Sequence, residues 1–156
     1  MAAVNFYHFD SFWTEILKGK NGTLFDLTTD TISIYFSNAA PNRATHTVKG
    51  DLAEITAKNG YPGMIDLTIT SRSISSNAWR VIANDVELTG SNVTDGTGFG
   101  PFRYVIILSK TSNATDANRR LIGYWAYPNA ITVPNLGTYK LDASATDGWL
   151  RFRSPV

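Results

Sequence analysis

The chain has 156 residues, 43% of them hydrophobic, 12% aromatic and 17% charged, with a formal net charge of +1 and no cysteine. That length suits one domain, and the apolar fraction is enough for a core and excludes intrinsic disorder. The near-neutral balance excludes a general electrostatic affinity for nucleic acid or anionic membrane, and the lack of cysteine excludes disulfides, thiolate zinc sites and thiol catalysis. Charged residues stand below the ~25% of ordinary soluble domains, so polar surface must come from Thr, Ser and Asn, which suit strands and turns.

In chain order, residues 1–7 read as an N-terminal arm. It lacks the basic start and apolar run of a signal peptide, and no stretch approaches the ~18 apolar residues of a membrane span, so a soluble protein made in the cytosol is expected. Phe9–Lys18 is the one helix signal: Asp10 or Ser11 can cap it, and Phe9, Phe12, Trp13, Ile16 and Leu17 form an apolar stripe at three-to-four spacing. A stripe this aromatic predicts a plug over a sheet rather than a binding helix. Gly19 supplies a stop and Asn21-Gly22 a turn.

From there the period becomes two. Leu24–Leu27 and Thr31–Ser37 read as strands joined by a Thr-Thr-Asp turn, with Ile32, Ile34 and Phe36 on one face and Thr31, Ser33 and Tyr35 on the other. A polar loop, Asn38–Gly50, precedes a short expected strand at Leu52–Ala57 and a turn at residues 59–63. Ile65–Thr70 alternates, with Ile65, Leu67 and Ile69 inward. Trp79–Ala83 and Val86–Thr89 read as one bulged strand or two short ones. Gly90–Pro101 is a glycine-rich loop, and Lys110–Arg120 is a polar hairpin tip between Phe102–Ser109 and Leu121–Tyr127, which are apolar on both faces and belong mid-sheet. Thr138–Asp142 and Trp149–Arg153 close the chain around a Thr-Asp-Gly turn. The expectation is an all-β fold of residues 1–156 as one β-sandwich domain, for which a jelly roll is one arrangement, with one short N-terminal helix at 9–18.

Chemistry is harder to find. The two histidines, His8 and His46, have no second His at metal-motif spacing. His46 could act as a base oriented by Asp51, but no nucleophile motif accompanies it, and a loop histidine is the plainer reading. Asp85 and Glu87 could serve glycoside hydrolysis if another element brought a sugar, but two outward acids on a strand are ordinarily its solvent face. The run Asp95-Gly96-Thr97-Gly98-Phe99-Gly100 lacks the Lys-Ser/Thr and following helix of a phosphate loop, and no Glu closes it as in an EF-hand. Asn-x-Thr sequons at Asn21, Asn92 and Asn113 carry no weight without a secretory signal. Trp79, Trp125, Tyr124, Tyr127 and Trp149 could form a sugar-stacking platform or a protein interface, although rings in strong strands are usually core. The residues thus predict no enzyme, no cofactor and no metal site.

The order of features carries more. It runs Phe12-Trp13 with Ile16-Leu17; Phe25-Asp26-Leu27; Asp30-Thr31-Ile32-Ser33-Ile34; Thr45-His46; Asp51-Leu52 with Glu54-Ile55; Asn59-Gly60-Tyr61; Leu67 with Ile69-Thr70; Asp85-Val86; Arg103-Tyr104-Val105; Leu121-Ile122-Gly123; and Asp147-Gly148-Trp149-Leu150. From about Phe12 to Phe152 this colinear series resembles a set of small virion structural proteins of tailed bacteriophages. It departs from their pattern at Glu87-Leu88, where an aromatic follows Asp-Val, and at Pro62-Gly63-Met64, where Gly-Gly is usual.

The resemblance implies a head or tail component, and above all a capsid decoration (cement) protein. Such a protein binds the major capsid protein, clamps the shell against internal DNA pressure as a homotrimer, and contacts neither nucleic acid nor membrane. Its place would be the virion capsid, after synthesis in the host cytoplasm. The family brings no catalytic residues. Phe6 and Tyr7 of the arm are the candidate contacts with the shell or a neighbouring subunit, the alternative being an arm folded on its own domain. A tail, neck or fibre component and a carbohydrate-binding module are the competing readings.

Overall fold

A computed structural model describes residues 5–18, 25–75, 78–91, 98–110, 115–142 and 149–153. The fold is all-β and sandwich-like, as expected. One layer is a five-stranded antiparallel sheet built from β1 (Asn5–His8), β2 (Thr31–Ser37), β3 (Ile65–Asp66), β7 (Phe99–Lys110) and β8 (Arg120–Val133), in the order β1-β8-β7-β2-β3. Facing it are a three-stranded sheet of β4 (Ile69–Ser75), β5 (Ala78–Ala83) and β10 (Leu150–Arg153), ordered β10-β5-β4, and a ribbon of β6 (Val86–Thr89) with β9 (Thr138–Leu141). The helix α1 spans Asp10–Leu17.

The alternation in β2 explains why the molecule has two apolar clusters. Ile32, Ile34 and Phe36 enter the larger one, between the layers, with Val105, Ile107, Val81, Tyr139 and Leu150. Tyr35, on the opposite face of the same strand, joins Phe9, Leu52, Ile106, Leu108, Leu121 and Tyr124 on the outer side of the five-stranded sheet. Each fully buried Ile or Phe contributes roughly 1.5–3 kcal/mol. β7 and β8 are the middle strands expected from their two apolar faces, and both extend beyond the expected limits.

The helix lies at the expected place, but only part of its stripe is covered: Phe12 enters the larger core with Ile16 packed against it, while Trp13 is 40% exposed. Phe12 is buried against Phe25 and Phe152, with ring centroids 5.2 and 5.4 Å apart, whereas Leu17 is 83% exposed. The expected cap is corrected: Phe9 occupies the N-cap position in an extended conformation without a side-chain cap bond, and Asp10 is the first helical residue. Phe9 is fully buried in the outer cluster, so packing rather than a polar cap turns the chain there.

Two expected strands are absent. Phe25-Asp26-Leu27 enters a turn, because carboxylates capture the local N–H groups: Asp30 Oδ2 accepts from Asp26 N at 2.9 Å and Asp26 Oδ1 from Thr28 N at 3.0 Å. Leu24 lies outside the described residues. Leu52–Ala57 runs beside β2 but forms only one main-chain bond to it, Ile55 N to Phe36 O at 2.9 Å. Its carbonyls are taken by hydroxyls instead: Ser37 Oγ donates to Ala53 O at 2.7 Å and the Tyr35 hydroxyl to Leu52 O at 3.3 Å.

Elsewhere the differences concern layers. The 65–70 alternation divides into β3 and β4 because the chain changes sheet there: Leu67 N donates to Ile32 O at 2.8 Å, and Thr68 O accepts from Asn84 N at 3.0 Å. β5 and β6 are two strands in different sheets. The turns expected at residues 19–22 and 146–148 lie outside the described residues, as do most of the 90–101 loop and part of the 110–120 hairpin tip.

Candidate functional site

The second layer covers the inner face of the five-stranded sheet. The outer face is only partly covered, by the 38–64 segment. Strand register places Tyr7, Tyr124, Ile106 and Tyr35 in one row across β1, β8, β7 and β2, and Asn5, Ala126, Tyr104 and Ser37 in the next. Over β2 the segment closes down, with Leu52 buried and the Lys49 ammonium 5.4 Å from the Tyr35 ring. Over β8 it stands off. An open groove of about 750 Å³ remains, lined by Tyr124, Asp10, Ala40, Pro41, Asn42, Arg43 and Ala44.

The half-buried Tyr7 ring stacks on Tyr124 at 5.3 Å, and Tyr104 meets Tyr124 edge to face at 6.0 Å. An arginine stands at each end of this Tyr7–Tyr124–Tyr104 series, which spans the two rows. Arg43 lies 6.0 Å over Tyr7 and donates from Nε to His8 O at 2.9 Å; Arg103 lies 5.9 Å over Tyr104 and donates from Nε to Tyr127 O at 2.9 Å. Burial raises the Tyr124 hydroxyl above its ordinary pKa against the pull of Arg43, so it remains a neutral donor and acceptor.

The two residues singled out in the arm part company. Tyr7 belongs to this outer row. Phe6 points to the other face, packed on the Trp125 ring at 4.7 Å and against the larger core. Both sit on β1, which pairs with β8 of the same chain from Asn5 to His8. His8, the last residue of β1, is enclosed by Phe6, Phe12, Trp13 and Phe152, with ring centroids 4.8–5.8 Å away. Burial lowers its pKa, and the Arg43 charge adds to that.

The other candidates separate into structural roles. His46 Nδ1 accepts the Asn42 N–H at 3.2 Å, while Asp51 Oδ2 accepts from Thr47 N at 2.7 Å and Val48 N at 3.0 Å, so Asp51 shapes its own loop rather than orienting the imidazole. Asp85 pairs with Lys140 at 3.0 Å, and Glu87 stands opposite Lys140 in the β6–β9 register. The five rings of the sugar-platform reading do not share a surface. Trp125 and Trp149 pack edge to face at 5.6 Å within the larger core, Trp79 stacks on Phe152, the Tyr127 and Tyr139 hydroxyls bond at 2.7 Å, and Tyr124 is on the opposite face of β8 from Trp125. The sequons and residues 95–97 of the glycine run lie outside the described residues.

Sequence reasoning missed a polar network beside β2. The Tyr61 hydroxyl donates to Glu54 Oε1 at 2.7 Å, and Lys49 Nζ bridges Glu54 and Asp116 at 2.9 and 2.7 Å. Burial raises the Tyr61 pKa, and the neighbouring Glu54 carboxylate raises it further. Positive φ at Asn59 (51°) and Gly60 (99°) makes the turn that delivers Tyr61, and a Cβ on Gly60 would meet Thr89 O at 2.0 Å. These groups satisfy one another and read as structural.

Among the described residues, no group of three or more His, Cys, Asp or Glu side chains could hold a metal ion, and no helix is long and apolar enough to cross a membrane. The chain is thus an all-β, sandwich-like protein with a tyrosine–arginine cluster on the outer face of one sheet, in which Tyr124 is buried and Tyr7 and Tyr104 are half-buried. Comparison with models of protein families, with characterised proteins and with solved structures finds no match.

Proposed function

We propose that the chain is a structural protein of a bacteriophage virion, a decoration protein that binds the major capsid protein through the outer face of its five-stranded sheet. The observation that carries this reading is that face itself: Tyr7, Tyr104 and Tyr124 flanked by Arg43 and Arg103, beside an open groove. Tyr and Arg are the residue types that anchor protein interfaces, because each combines a large contact area with directed hydrogen bonds. The colinear motifs from Phe12 to Phe152 support the virion context. In a shell each copy needs only modest affinity, since simultaneous contacts of a trimer raise the effective concentration of the others.

Copy number in purified virions, measured by quantitative mass spectrometry against the major capsid protein, tests the reading. A number equal to that of the capsid subunit, or a simple fraction of it, is expected. A handful of copies per particle would move the chain to the neck, tail or fibre. Absence from virions would overturn the proposal.

A further inference from the structure

Arg43 and Arg103 are held in the same way at the two ends of the tyrosine series. Each donates its Nε–H to a main-chain carbonyl at 2.9 Å and sets its guanidinium about 6 Å from a ring centroid. That double restraint fixes the guanidinium while leaving Nη groups for a carboxylate. Arg43 faces Asp10 at 3.6 Å, in an ion pair with both side chains about half exposed, which solvent makes weak. Arg103 is exposed and has no carboxylate partner among the described residues.

We propose that this face docks an acidic, extended polypeptide segment, with carboxylates on Arg43 and Arg103 and an aliphatic side chain between them against the half-buried Tyr7 and Tyr104. Charge complementarity selects this occupant, chiefly at Arg103; at Arg43 the incoming carboxylate displaces Asp10 from a weak, half-exposed pair. The same face of a second copy would bring guanidinium against guanidinium. Single-stranded nucleic acid also joins anions to stacking, but a base needs a whole free ring face, and Tyr124 is buried, Tyr7 has Tyr124 and Arg43 beside its ring and Tyr104 lies under Arg103; an aliphatic side chain needs only ring edges. That the segment belongs to a capsid subunit rests on the function proposed above; the recognition chemistry does not.

The test is selection of a random displayed peptide library on the full chain, followed by fluorescence anisotropy of the recovered peptides. Asp- and Glu-rich peptides carrying an aliphatic residue are expected, with binding that weakens as salt rises. Arg103→Glu and Arg43→Glu should each weaken them about tenfold or more, and Arg103→Lys less, because a point charge loses the fork geometry. Because Arg43 also bonds His8 O and faces Asp10, and Arg103 bonds Tyr127 O, thermal unfolding of each variant separates lost docking from lost folding. Recovery of no peptide, peptides without acidic enrichment, or undiminished binding by Arg103→Glu would overturn the proposal. So would an oligothymidylate that binds more tightly than any peptide and depends on Tyr104. Acidic peptides bound by a chain absent from virions would sink the virion reading alone. Abundant virion copies with unimpaired incorporation of Arg103→Glu would leave the virion reading standing and overturn a capsid segment as the occupant of this face.

Discussion

Tyr61 and Phe36 are joined twice: the Tyr61 hydroxyl accepts the Phe36 backbone N–H at 3.1 Å, and the two rings stack with centroids 4.9 Å apart. The pairing substitutes for a strand. β3 pairs with β2 only at Ser33 and Ile34, so Phe36 has no ladder partner on that side. Tyr61 supplies the acceptor and Ile55 N the donor that a neighbouring strand would have given.

Tyr61→Phe should therefore keep the ring stack but strand a buried N–H and deprive Glu54 of a donor. The expected loss is about 1–3 kcal/mol, the cost of leaving a buried polar group unsatisfied. Urea unfolding with an unchanged m-value would measure it. A change within about 0.5 kcal/mol, as for an ordinary surface substitution, would mean that the hydroxyl is dispensable to β2.

Gly123 decides whether β1 can dock. A Cβ at this position would lie 2.5 Å from Phe6 Cζ and 2.6 Å from Tyr7 O, and the second of these is backbone that cannot swing aside. Gly123→Ala should push β1 off β8 at a cost of about 1–3 kcal/mol, typical of overpacking. Amide exchange of Phe6–His8 should accelerate more than that of β2 or β7. Because β1 carries Tyr7, the same variant should weaken docking on the outer face without touching either arginine. Unchanged β1 protection would contradict this account.

The sequence was most readable where periodicity and burial agree. β2 lies at the expected Thr31–Ser37, and β7 and β8 are central because both faces of each are apolar. It was least readable where side chains stand in for backbone. Nothing in the Leu52–Ala57 pattern shows that the hydroxyls of Tyr35 and Ser37 will take the carbonyls of Leu52 and Ala53. The candidate site was half legible. Tyr7 could be singled out from the arm, but alternation alone separates Phe6 from Tyr7 without saying which face stays open. Arg43 and Arg103 join the site through bonds to His8 and Tyr127, 35 and 24 residues away, which no local pattern encodes.

His8 should give the fold a pH dependence near neutrality. The ring is enclosed by Phe6, Phe12, Trp13 and Phe152, and Arg43 is the charged group beside it, donating to its carbonyl. Its folded pKa lies below the ordinary 6.5, first through burial and then through Arg43. The neutral form is therefore the one that folding favours. Stability from this group is complete above about pH 6.5 and is lost as pH falls through the lowered folded value. His8→Phe keeps a ring in the cluster and removes the titration. Melting temperatures followed from about pH 7.5 to pH 5 should fall less for the variant than for the parent. Equal slopes would show that protonated His8 is accommodated among the rings.

Asp51 should act on the acid side. Its Oδ2 holds the N–H groups of Thr47 and Val48, and these bonds, Thr47 first, depress its pKa below the ordinary 3.8 against the opposing effect of burial. The carboxylate form is favoured by folding, so the contribution is present above about pH 3.9, the unfolded value, and disappears as pH falls through the lower folded one. Asp51→Ala leaves two loop amides to water and should cost about 0.5–2 kcal/mol near neutral pH, the range for losing a helix cap. Asp51→Asn retains an acceptor oxygen and should cost less. Both variants should flatten the acid limb of the stability curve, because neither can take up the proton. The loop they loosen carries His46 and adjoins Arg43, so a structural role predicts loss of stability and weaker peptide docking together. An acid limb left intact by Asp51→Asn would overturn the role assigned to this carboxylate.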